Sequence, residues 1–140
     1  MTMIIEILRK HEGVETHAYV DTVGKVTIGV GRNIDKNGGL GLSQQEIDYL
    51  LSGDVKRVEA ELSQAFIWYD DLDDARKDAM MDMAFNMGLP RLRKFKRALA
   101  AMSARLYEIA AVEFLDSLWA RQVGKNRSTT ISDMIRSGEY

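Results

Sequence analysis

The 140-residue chain has no cysteine. Disulfides, thiolate metal sites and a cysteine nucleophile are therefore excluded. It has one proline, Pro90, and no Ser/Gly/Pro-rich tract, so nothing marks a disordered linker. No internal repeat recurs at solenoid periods. No stretch approaches the ~20 apolar residues of a membrane-spanning helix. The opening segment 1–10 is a short apolar run broken by Glu6 and closed by Arg9 and Lys10. Lacking a basic start and a small-residue cleavage site, it is not expected to act as a signal peptide. What is present is a hydrophobic fraction of 46%, ample for a packed core, in a length that suits one domain.

The formal net charge of −2 hides an asymmetry: residues 1–87 carry 9 Lys/Arg against 16 Asp/Glu, and residues 88–140 carry 10 against 5. The basic part includes Arg91, Arg93, Lys94, Lys96 and Arg97. Such a patch can attract an anionic polymer, but a solvated helix face is the preferred reading. Mild overall acidity argues against a dedicated nucleic-acid binder, and no nucleic acid is expected as a partner.

Periodicity changes along the chain. Ile5, Leu8 and Glu12 recur at three- and four-residue steps, which predicts a helix over 3–12 with Glu12 on its inward face. Gly13 is a natural stop. Val26, Ile28 and Val30 alternate with Lys25, Thr27 and Gly29, as in a half-buried strand. Ala18–Val20 supplies a short partner, Asp21–Lys25 a turn, and Asn37-Gly38 a further loop tip. Ser43-x-x-Glu46 is a capping box. Gly53 is expected to interrupt the helix that follows, with Asp54 capping a second segment to about Gln64. Asp71 is expected to cap a helix over about 72–87, apolar on most sides and so central to a bundle. Further helices are expected near 92–102, 105–118 and 128–136. The reading is a mostly helical α+β chain, one domain over 1–140. A β-hairpin lobe of about 13–53 accompanies a helical lobe of about 54–140 that includes helix 3–12, with a substrate cleft between lobes.

The chemistry-bearing candidates are Glu12, Asp21 and Thr27, spaced E-x8-D-x5-T. Glycoside hydrolysis needs one carboxyl that holds a proton for the leaving oxygen and another that stays ionised. Glu12, at a helix C-terminus beside apolar neighbours, suits the first role. Asp21, in an exposed turn, suits the second, and the Thr27 hydroxyl can hold a water. The same residues also fit an ordinary reading: a surface ion pair for Glu12, an Asx-turn for Asp21 and a plain strand position for Thr27.

His11-Glu12-Gly13, Tyr19-x-Asp21 and Thr27-Ile-Gly-Val-Gly31 resemble the signature of phage-type lysozymes, glycoside hydrolase family 24. Leu42-Ser43-x-x-Glu46, Leu50-Leu51, Asp54-Val55, Met83-Ala-Phe85-Asn86-Met-Gly88, Trp119 to Arg127 and Arg136-Ser-Gly138 extend the likeness over nearly the whole chain. The resemblance implies a lysozyme-like fold and a muramidase, an endolysin-type enzyme that cuts the β-1,4 bond between N-acetylmuramic acid and N-acetylglucosamine of bacterial peptidoglycan. It makes Glu12 the general acid, with Asp21 and Thr27 positioning the attacking water. It implies inversion at the anomeric carbon, which suits carboxyl groups roughly 6.5–9.5 Å apart. It places Gly31, Asn33, Phe85, Asn86, Gln122 and Arg127 against substrate, and makes Arg127 a candidate ion-pair partner for Glu12. The leading reading is an enzyme made in the host cytoplasm and admitted to the wall by a holin-like membrane permeabiliser; with no oligomerisation heptad in the sequence, a monomer is expected. Arg32 stands where many relatives have His, and the 36–42 loop is short and Gly-rich.

Other readings are weaker. His11-Glu12 lacks the second His of a zinc-protease helix, and no metal or cofactor is expected. Gly29-x-Gly31 is no dinucleotide fingerprint, since Ile34 takes the third glycine position. Met80, Met81, Met83 and Met87 read as core filling, and Trp119 as a core or lobe-interface residue. Two alternatives to the enzyme stay open. One is a catalytically inactive lysozyme-fold domain that binds peptidoglycan or acts as a scaffold. The other is a helical interaction module, for which an exposed apolar patch would speak.

Overall fold

Gly13 and Gly88 mark where the chain changes direction, each with positive φ directly after a helix. In the computed structural model, which describes residues 1–140 apart from the side chain of Leu118, helix α1 spans Ile4–Glu12. A three-stranded antiparallel sheet follows, in the order β1 (Glu15–Val20), β2 (Val26–Gly29), β3 (Arg32–Asn33). Helices occupy the rest: α2 Gln44–Ala65, α3 Asp74–Met87, α4 Leu89–Leu92, α5 Lys96–Ser103, α6 Tyr107–Leu115, α7 Leu118–Val123 and α8 Lys125–Ser137. This is a mostly helical α+β architecture with a lysozyme-like fold. The chain divides into two compact units, Met1–Leu50 and Leu51–Tyr140.

In the N-terminal unit, β1 and β2 pair with Tyr19 opposite Thr27 and Val20 opposite Val26, and a register shift separates Glu15 from Tyr19. β2 and β3 pair with Thr27 opposite Asn33. The third strand is too short for a periodicity signal and was not expected. The burial pattern of β2 also differs from the expectation: Thr27 is the buried residue, 4% exposed, while Val26 and Ile28 are only partly covered. Thr27 tolerates burial because its hydroxyl donates to the Lys25 carbonyl at 3.0 Å. The apolar face of α1 is likewise not buried, with Ile5 55% and Leu8 41% exposed. Periodicity identifies a stripe but not what covers it.

The capping box forms as read. Ser43 Oγ accepts the Glu46 N–H at 3.1 Å, and Glu46 Oε1 accepts the Ser43 N–H at 2.8 Å. The Ser43 N–H and hydroxyl, with Arg32 beside them, hold the Glu46 carboxyl below its ordinary range. Arg32 pairs with Glu46 through both Nη1 and Nη2 and also donates to the Gly41 carbonyl. The α2 helix then runs unbroken for 22 residues through Gly53. A mid-helix glycine costs only ~1 kcal/mol relative to alanine, and Gly53 has none of the positive φ that would turn the chain.

In the C-terminal unit one core joins Val58 and Leu62 of α2 with Ala79, Met80, Met83, Ala84 and Met87 of α3, and with Phe114, Trp119, Ile131 and Ile135. Three of the four methionines read as core filling are buried there, and Met81 packs at the edge. Trp119 is 2% exposed and belongs to this core. The α3 N-cap is Asp73, whose Oδ1 accepts the Arg76 N–H, and not Asp71. Asp71 lies in a 3-10 turn over Tyr69–Asp71, and the extended Leu72 then drops into the core. Arg76 fastens the C-terminus of α8 by donating to the Ile135 and Arg136 carbonyls, and it lies 3.7 Å over the Tyr107 ring. Among the described residues, no helix is long and apolar enough to cross a membrane.

Candidate active site

Glu12 is the last residue of α1, placed there because Gly13, with φ 78°, turns the chain toward β1. Its last turn also carries Arg9 and Lys10, cations that complement a helix C-terminus. Glu12 is exposed, so the expected burial beside Ile5 and Leu8 is absent. Its carboxyl rests instead against Gly31. A methyl group on that glycine would stand 2.7 Å from Glu12 Oε2 and 2.9 Å from Cδ.

Asp21 closes the β1–β2 turn. Its Oδ1 accepts the Val23 N–H at 3.0 Å and the Lys25 N–H at 2.8 Å. Its own N–H donates to the Lys25 carbonyl at 2.9 Å, and Gly24 N–H returns to the Asp21 carbonyl. The Asx-turn is real and involves one carboxylate oxygen. Oδ2 has no donor among the described residues. The same Lys25 carbonyl accepts the Thr27 hydroxyl, so one peptide group holds both Asp21 and Thr27. The Thr27 oxygen keeps its lone pairs free to accept. Sequence reasoning missed Lys25 because its role belongs to its main chain, which leaves no side-chain signature.

Asn33 faces Thr27 across the sheet. Its Oδ1 accepts the Asp35 N–H, and its carbonyl accepts the Leu40 N–H at 2.8 Å. Asp35 in turn accepts the Asn37 and Val26 N–H groups, which hold its carboxyl below the usual range, helped by Lys25. Asn33 therefore shapes the 33–41 loop, and its amide nitrogen is left for a ligand. The structure thus gathers Glu12 with Gly31, and Asp21 with Thr27 and Asn33, within the N-terminal unit.

The remaining candidates lie in the C-terminal unit. Leu51, Val55, Asp78, Met81, Asp82, Phe85 and Arg127 line a groove of about 320 Å³. Phe85 is 48% exposed in it. Arg127 Nε donates to Asp82 Oδ1 at 2.9 Å, and Nη2 lies at ion-pair distance, also 2.9 Å, from the same oxygen. Asp82 is thus the partner of Arg127 within the C-terminal unit. The two residues lie 45 positions apart in the sequence. Gln122 is exposed and accepts from Arg91 Nη2 at 2.9 Å, a surface pairing. Asn86 is exposed. Part of the basic cluster lines a second groove of about 410 Å³, where Lys94, Lys96 and Arg97 meet Glu113, Asp116 and Ser117. That mixture of signs is not a uniform anion-binding face.

Comparison with known proteins places these residues in a family context. The family model described as phage lysozyme matches residues 9–132. A probable T4-type lysozyme 2 of Dictyostelium discoideum is 29% identical, over 91% of this chain and 90% of its own length. A probable T4-type lysozyme 1 of the same organism is 27% identical, over 99% and 96%. The pre-baseplate central spike protein of Enterobacteria phage T4 is 29% identical over 95% of this chain, which spans 27% of that protein.

Proposed function

The chain belongs to the phage lysozyme family, and from that membership we propose that it is a muramidase hydrolysing the β-1,4 bond between N-acetylmuramic acid and N-acetylglucosamine in bacterial peptidoglycan. The observation that carries the reading is the Lys25-centred clamp. It fixes Asp21 through one carboxylate oxygen and leaves the other open, and it orients the Thr27 hydroxyl with its lone pairs free. A preorganised acceptor pair of this kind suits a water molecule.

In the proposed reaction Glu12 gives its proton to the glycosidic oxygen as the C1–O bond breaks. The water held by Asp21 and Thr27 adds to C1 from the opposite face, and the Asp21 carboxylate takes up the proton that the water sheds. The Asp21 charge also stabilises the positive charge developing at C1. Gly31 and Asn33 would lie along the sugar beside these groups, and Phe85, Asn86, Gln122 and Arg127 would touch saccharide on the C-terminal unit. The reading includes a monomeric enzyme and a holin-like permeabilising partner that admits it to the wall.

The test is product analysis. Purified sacculi are digested, the soluble fragments reduced with borohydride, and the new ends identified by mass spectrometry. Reduced N-acetylmuramic acid at the new ends is expected, and reduced N-acetylglucosamine would contradict the assignment. The alternative reading is a lysozyme-fold domain that binds wall or serves as a scaffold without cutting it. Sedimentation of the folded chain with sacculi, without released fragments, would select that reading.

A further inference from the structure

Gly29 and Gly31 stand two residues apart with nearly the same left-handed backbone, φ 69° and 63°. Their surroundings differ. A β-carbon on Gly29 would meet nothing within 4 Å, whereas one on Gly31 would lie 2.7 Å from Glu12 Oε2, 2.9 Å from Cδ and 3.1 Å from Cγ. Gly29 is required by backbone conformation alone. Gly31 is required by conformation and by space, and the space is filled by the carboxyl proposed to donate the proton.

The Glu12 side chain has several rotatable bonds and makes no hydrogen bond or ion pair among the described residues. An exposed side chain of that kind distributes over several staggered rotamers unless a wall selects one. The bare α-carbon of Gly31 is that wall. We propose that Gly31 is a positioning residue: its missing side chain forms the seat that holds the Glu12 carboxyl where the proton must be delivered. The inference rests on the reading of Glu12 as proton donor, and it gives Gly31 a role distinct from a sugar contact. A displaced acid slows the chemical step, whereas a lost sugar contact weakens binding.

The test compares Gly31→Ala with Gly29→Ala in the full chain. Both variants put alanine at positive φ and should lose melting temperature, Gly31→Ala the more because its β-carbon must also displace the Glu12 carboxyl. Gly29→Ala should keep kcat within about threefold of the parent, whereas Gly31→Ala should lose kcat on the order of 10²-fold with KM changed less than about threefold. The Glu12 side-chain carboxyl ¹³C resonance, assigned by its loss in Glu12→Gln, should move in Gly31→Ala and stay in place in Gly29→Ala. Equal kcat in the two variants, a Gly31→Ala loss confined to KM, or an unmoved resonance would overturn the proposal. In a Glu12→Ala background, with the carboxyl gone, the two alanines should cost the same melting temperature. A larger cost for Gly31→Ala there would also overturn it. If the parent chain hydrolyses nothing, the muramidase reading fails, while the resonance and melting comparisons still decide the seat.

Discussion

Asp21 Oδ1 accepts the backbone N–H of Lys25 at 2.8 Å, and Lys25 returns its carbonyl to the Asp21 N–H at 2.9 Å. The residue proposed to handle water is therefore also a structural part of the turn that presents it. Substitutions at Asp21 can separate the two roles. Asp21→Asn keeps an acceptor oxygen for Val23 and Lys25 and removes the charge. Its melting temperature should stay close to the parent value while activity falls on the order of 10²-fold or more. Asp21→Ala abandons both hydrogen bonds and should lose about 1–3 kcal/mol, roughly 3–10 °C. Thermal melts and turnover on the same preparations check this. Equal destabilisation by Asn and Ala would make the residue purely structural.

Thr27 allows a similar separation. Thr27→Val preserves shape and removes the hydroxyl, and the Lys25 carbonyl still has the Asp21 N–H as donor. Stability should change by less than about 1.5 kcal/mol. Activity should fall by roughly 10²-fold if the hydroxyl holds the water, and Thr27→Ser should recover most of it. Equal turnover by Val and Ser variants would remove the hydroxyl from the reaction.

Arg127 and Asp82 are each about two-fifths exposed, so their pair is screened by solvent. A double-mutant cycle with Arg127→Ala and Asp82→Ala should return a coupling of only about 0.2–1 kcal/mol in thermal stability. If Arg127 touches saccharide, its substitution should raise KM more than it lowers kcat. A coupling well above that range would make the pair a fold-holding bridge.

Glu46 gives the N-terminal unit an acid sensitivity. Its carboxyl is held below the ordinary 4.5 by the Ser43 backbone N–H, the Ser43 hydroxyl and Arg32. A carboxyl with a lowered folded-state pKa stabilises the fold fully above its unfolded value and loses that contribution as pH falls through the folded value. Melting temperatures of the parent and Glu46→Gln should therefore differ at pH 7 and converge as pH drops below about 4.5. A gap that stays constant from pH 7 to pH 3 would contradict the account.

The elements legible in the sequence are those with local causes. Gly13 ends α1, the Ser43/Glu46 box starts α2, and the apolar run at Ala79–Met87 sits in the core, all from short-range signals. The failures also have local causes. Gly53 reads as a breaker yet costs too little to break a 22-residue helix anchored by Val58 and Leu62. Asp71 and Asp73 are equivalent as caps until Leu72 chooses the core. β3 is two residues long. In the candidate site, Glu12, Asp21 and Thr27 were legible through their motif. The Lys25 peptide clamp, the Gly31–Glu12 contact and the Asp82–Arg127 pair were not, because each depends on backbone geometry or on a partner distant in sequence.

The central claim is that Glu12 is the proton donor, and clearing of outer-membrane-permeabilised bacteria by parent chain and Glu12→Gln tests it most directly. Glu12 is an exposed residue and glutamine has the same shape, so the amide should fold and melt like the parent. The account predicts that the parent lowers turbidity while folded Glu12→Gln leaves it unchanged, and equal clearing by the two proteins would contradict it.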